Sequence, residues 1–144
     1  MQDYLAAEPL IIQRLKDQVT NLPVLSAADL DGLAEAKQTT PAAHVLYGGD
    51  RLADSAGRGA AQAWAQLWWI IVAVRNARDQ GKGGEVRKTA GPLLLSVIKA
   101  LSGWEPDKDH GPLKRVNPPT RPAYSKGGFA YFPLAFETVV ETPI

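Results

Sequence analysis

The chain has 144 residues and a mass of 15.5 kDa, 45% hydrophobic and 22% charged; this suits one globular domain over residues 1–144 and argues against disordered, collagen-like or coiled-coil architecture. The absence of cysteine excludes a disulfide framework, a thiolate zinc site and a Cys nucleophile, and fits a reducing compartment. Sixteen basic against fifteen acidic residues leave +1, too little to draw the chain to nucleic acid or a membrane surface.

The first predicted element is a helix opening at Pro9, where a missing N–H costs nothing. Ile12, Leu15, Val19 and Leu22 recur on one side of it and Arg14, Lys16, Asp17 and Gln18 on the other. Before it, Met1-Gln2-Asp3-Tyr4 lacks the basic stretch that opens a signal peptide. Asn21-Leu22-Pro23 ends the helix. Val24–Ser26 suits a short strand, and Asp29–Ala36 a brief helix broken by Thr39-Thr40-Pro41. Ala43–Tyr47 reads as a strand closed by Gly48-Gly49-Asp50. Asp50–Ala63 has almost nothing to bury and is expected to be a long mobile loop.

Trp64–Ala77 is the hydrophobic centre. In a strand, Leu67, Trp69, Ile71 and Ala73 point one way, and Trp68, Ile70, Val72 and Val74 the other. Two apolar faces require two covers. One layer of helices supplies the first; another subunit or a folded-over arm of the same chain supplies the second. The longest apolar run, Leu67–Val74, falls far short of the roughly 20 residues that span a membrane.

Gln80–Gly84 is a turn, and a second helix follows from about Glu85 to Ser102, with Val86, Ala90, Leu94, Val97, Ile98 and Leu101 as its buried stripe. Gly91-Pro92 is expected to bend it or to split off its first turn. Gly103 stops the helix, and Trp104 packs back on its last turn. Glu105–Pro122 is polar and proline-rich, with a possible strand at Leu113–Val116. The last strand, Phe129–Val140, carries Pro133, which suits an edge or a bulge. Thirteen glycines and eleven prolines add to the expectation of long loops. The fold class is α+β: a largely antiparallel sheet packed with two main helices, with long loops and a proline-rich C-terminal region.

Site chemistry is sparse. Gly81-Lys82-Gly83-Gly84 lacks the Ser/Thr of a phosphate-binding loop, because Gly83 follows Lys82. Asp107, Asp109 and His110 form a local cluster without a full ligand set, so no metal or other cofactor is expected. Neither His44 nor His110 is accompanied by a nucleophile elbow, and no catalytic residue is assigned. Arg75, Arg78, Lys82, Arg87 and Lys88 form a basic stretch without the interleaved exposed aromatics of a nucleic-acid platform, suiting a solvated face or a protein contact. The candidate interface residues are Arg51, Arg58, Arg78, Lys82 and Arg87. Residues 1–56 hold four bases and eight acids, whereas residues 57–144 hold twelve bases and seven acids. Opposite charge on the two halves suits head-to-tail contact between copies.

The strand Ala43–Tyr47 with its Gly-Gly, the aromatic strand Gln66–Asn76, the helix Ala90–Trp104 and the strand Ala130–Thr138 together resemble the tail terminator proteins of long-tailed, Mu-like bacteriophages, over roughly Pro9–Thr138. The resemblance implies an α+β subunit of a six-fold ring at the head-proximal end of the virion tail, made in the host cytoplasm. Such a ring caps the tube, ends its polymerisation and offers a docking surface to the head. The implied partners are further copies of the chain, the major tail tube protein and a head completion or neck protein. No enzyme activity is implied. Two alternatives remain open: another head–tail joining protein, or a small ligand-binding domain whose pocket is lined by Trp64, Trp68, Trp69 and Trp104.

Overall fold

The computed structural model describes residues 2–27, 39–56, 61–78, 83–125 and 127–143. It contains helices α1 (Ala7–Gln18) and α2 (Gly84–Leu101) and strands β1 (Val24–Ser26), β2 (Ala42–Ala56), β3 (Ala61–Arg75), β4 (Lys114–Val116), β5 (Ala123–Tyr124) and β6 (Phe129–Pro143). The strands form one sheet in the order β1-β2-β3-β6-β4, with β5 also on β6. β1 runs parallel to β2, and the other pairings are antiparallel. This is the α+β arrangement that the periodicities predict.

β3 lies at the centre because both of its faces are apolar and both its edges are paired. On one face Trp68, Ile70, Val72 and Val74 meet Val45 of β2 and Phe132, Leu134 and Phe136 of β6. Ile11 and Leu15 of α1 and Val86, Ala90, Val97 and Leu101 of α2 belong to the same cluster. Each Val, Leu, Ile or Phe among them contributes roughly 1.5–3 kcal/mol when fully buried. On the other face Ile71 and Ala73 pack with Leu46, Trp69, Phe129, Tyr131 and Ala27. Ile71 is 2% exposed and Ala73 0% within the single chain, whereas Leu67 and Trp69 further along the same face are half-buried.

Several boundaries differ from expectation. α1 starts two residues before Pro9, which still falls in the first turn, where backbone donors lack intrahelical partners. α2 runs unbroken through Pro92; Pro92 and Lys88 are both exposed, so the carbonyl freed by the proline can face water. The strand expected to close at Gly48-Gly49 continues to Ala56, and the expected mobile loop Asp50–Ala63 is largely strand at both its ends. The two glycines form a bulge instead of a turn: pairing passes from Tyr47↔Trp68 to Asp50↔Gln66. Gly49 has φ 87°, and a Cβ on Gly48 would lie 2.6 Å from the Trp69 ring. Polar composition concealed a ladder whose backbone bonds need no apolar side chain.

Pro133 sits neither at a sheet edge nor in a bulge. Its strand pairs continuously with β3 from Phe129 to Pro143. Phe129 and Val139 accept N–H bonds from Ser125 and Gly111 on the outer flank of β6, and Pro133 has their parity, so its nitrogen faces outward too. There it falls between the stretches paired by β5 and β4. The brief helix expected at Asp29–Ala36 lies outside the described residues, as does most of the turn Gln80–Gly84.

Candidate interaction surface

The sheet is longer than the helical layer that covers it. The main apolar cluster occupies β3 from Trp68 to Val74, and the other end of the ribbon consists of Asp50–Ala56, Ala61–Leu67 and Glu137–Pro143. At this end Leu52 pairs across with Trp64, and Trp64 in turn with Val140. The N-terminal segment lies against the same face. Tyr4 stacks on Trp64 with ring centroids 5.5 Å apart and meets Tyr47 edge-on at 6.5 Å. Gln66 Nε2 donates to the Tyr4 carbonyl at 2.6 Å. Leu52 is 66% exposed, Tyr4 41% and Leu5 39%. An apolar patch is thus built around the buried Trp64. On the opposite face Val139 is 54% exposed.

Among the acids of this end are Asp3, Asp50 and Glu137, together with those of the turn that carries Asp107 and Asp109. Asp50 is paired with Gln66 and so shares the Tyr4 face. The turn is placed by His110, which bridges to Val140. Asp107 Oδ1 accepts the backbone N–H groups of Asp109 and His110 at 2.9 and 3.0 Å, and lies 2.7 Å from His110 Nδ1. Burial alone would raise the Asp107 carboxyl; the ring and backbone hydrogen bonds outweigh it and hold the group below its ordinary value. This cluster is a closed turn, and among the described residues no group of His, Cys, Asp or Glu is arranged to hold a metal.

The basic end lies at the other extreme of β3. Arg75 packs over Phe129 at 4.8 Å and donates from Nε to the Gly127 carbonyl at 3.2 Å. Arg78 is exposed, its backbone N–H donating to Asn76 Oδ1 at 2.9 Å. Arg87, in the first turn of α2, lies over Tyr124 at 5.8 Å and donates to its hydroxyl at 3.3 Å. Lys88 pairs with Glu85 at 3.2 Å.

Of the five residues named from sequence, the structure brings Arg78 and Arg87 to the same end and separates Arg51 from them. Arg51 pairs across with Ala65, ten positions from Arg75 along β3, or roughly 33 Å at strand rise. It makes an ion pair with Glu137 at 3.4 Å, on the face away from Trp64. Arg58 and Lys82 lie outside the described residues. Sequence reasoning missed the Trp64 patch because Leu52 fell in a supposed loop and Tyr4 before the first helix. The signal available was the proximity of Leu52 to a Gly-Gly pair that bulges instead of turning.

The four tryptophans do not converge on one pocket. Trp68 is in the helix-side core, Trp69 is on the opposite face, and Trp104 packs under Arg14, whose guanidinium is 5.4 Å from the ring centroid. Among the described residues no helix is long and apolar enough to cross a membrane.

The family described as "Phage tail terminator protein" matches residues 1–143. No curated protein matches the chain. Among solved structures, a chain from "Virion of native gene transfer agent (GTA) particle" is similar in fold, with a TM-score of 0.57 and 18% identity, over 97% of this chain and 100% of that one.

Proposed function

The chain belongs to the phage tail terminator family, a structural component of the virion tail, and from that membership we propose that copies of it close into a ring, six-fold by family resemblance, on the head-proximal end of the tail tube. The ring stops addition of tube subunits and gives the head its docking surface. Its partners are further copies of the chain, the tube protein and a head completion or neck protein. The whole chain acts as one domain, made in the host cytoplasm, and its work is mechanical: it blocks one surface and presents another, with no bond made or broken.

The family match over residues 1–143 carries this reading. The geometry supports it, because the ends of the sheet are chemically unlike. One presents an apolar patch with acids around it, the other an exposed tyrosine under Arg87, with Arg75 and Arg78 at the same end of the sheet. A subunit with two unlike surfaces can join copies head to tail, which closes a ring when the rotation permits.

The direct experiment is tail assembly with the gene deleted and then restored. Tubes of uncontrolled length, or headless tails, in the deletion and normal particles after restoration are expected. Normal tails in the deletion would overturn the reading.

A further inference from the structure

We propose that the Trp64 patch of one copy seats on the end of a second copy that carries Arg78, Arg87 and Tyr124. The inference rests on the assembly reading and adds the two surfaces that meet. The patch has a tryptophan at its centre, with Tyr4 and Leu52 beside it; large aromatics surrounded by polar groups are the usual composition of an energetic centre in protein contacts. Its surroundings are acidic: Asp3 and Asp50 are exposed, and Asp107 and Asp109 stand on the adjoining turn. Lys108 is the opposing charge there, while Arg51 is held by Glu137 on the other face.

The receiving end has the complementary pattern. Tyr124 is 41% exposed, with Arg87 over its ring. Arg75, over Phe129, is on the other face of the same end of the sheet, exposed Arg78 follows β3 there, and Glu85 is already engaged by Lys88. An apolar centre with acids therefore faces an apolar centre with arginines, both on one chain and at opposite ends of one strand. Complementary charge selects the partner and speeds encounter, and the aromatic contact holds it.

Beyond its pairing with β1, the edge of β2 is unpaired among the described residues but irregular. Its pairing with β3 shifts at Tyr47/Asp50 and at Leu52/Ser55, and bulges of this kind hinder the addition of another strand.

The test is sedimentation of the full chain across concentration and salt, for wild type, Leu52→Asp, Asp50→Lys, Arg78→Glu and the double variant Asp50→Lys/Arg78→Glu. Circular dichroism checks that each is folded, as expected for exposed sites. Each single variant should need about tenfold more protein to assemble, the charge variants less so at high salt, and the double variant should recover assembly. Wild-type assembly with all three single variants unchanged would overturn this contact and leave the assembly reading intact. Loss of tube binding in Leu52→Asp with self-association unchanged would overturn it in favour of the tube protein as occupant. A wild type that is monomeric both free and on tubes would remove the assembly reading and the contact with it.

Discussion

His44, opposite Ile71 in the sheet, is 3% exposed, and among the described residues neither ring nitrogen has a hydrogen-bond partner. Burial pushes its pKa below the ordinary value near 6.5. The unfolded chain therefore takes up the proton first, and stability should fall as pH drops below about 6.5. Asp107 contributes in a lower window: its depressed carboxyl adds stability above the ordinary carboxylate value, and this is lost as pH falls through the folded value. Denaturation midpoints at pH 7.5, 5.5 and 3 separate the two. His44→Leu should flatten the upper slope and raise stability at neutral pH by about 1 kcal/mol, since it removes two unpaired buried nitrogens. Asp107→Asn should flatten the lower one. An unchanged upper slope in His44→Leu would contradict the assignment.

Elements differ in how plainly the sequence announces them. The two faces of β3, the stripe of α2 and the short β1 are legible because side chains must alternate or recur where they are buried. β2 beyond Gly48 was not legible: its partner strand supplies the backbone bonds, and its residues need bury little. The same holds for the surface around Trp64, which forms only when residues far apart in sequence, Tyr4, Leu52 and Trp64, meet. Pro133 misled for a related reason: the missing donor lies on a flank that no single sequence exhibits. These differences set expectations for mutation. Ile70→Asp or Val72→Asp places a charge in the helix-side core and should prevent folding, a loss of more than about 4 kcal/mol. Gly48→Ala should cost about 1–3 kcal/mol because the added methyl meets the Trp69 ring. Thermal unfolding checks both, and a folded, stable Ile70→Asp would contradict the central position of β3.

At the scale of the molecule, the chain buries the helix-side face of its central strand and part of the other, yet leaves the far end of the sheet with exposed apolar side chains and opposite charges at its two extremes. Such a subunit has surfaces to share, as the proposed ring requires. Salt should weaken its assembly, because the contact is framed by charge. The most direct test is electron microscopy of negatively stained tail tubes incubated with purified protein. A closed ring on one end of each tube, with tube length fixed thereafter, is the predicted result. Tubes that bind no ring, or that keep growing from both ends in a saturating amount of folded protein, would contradict the account.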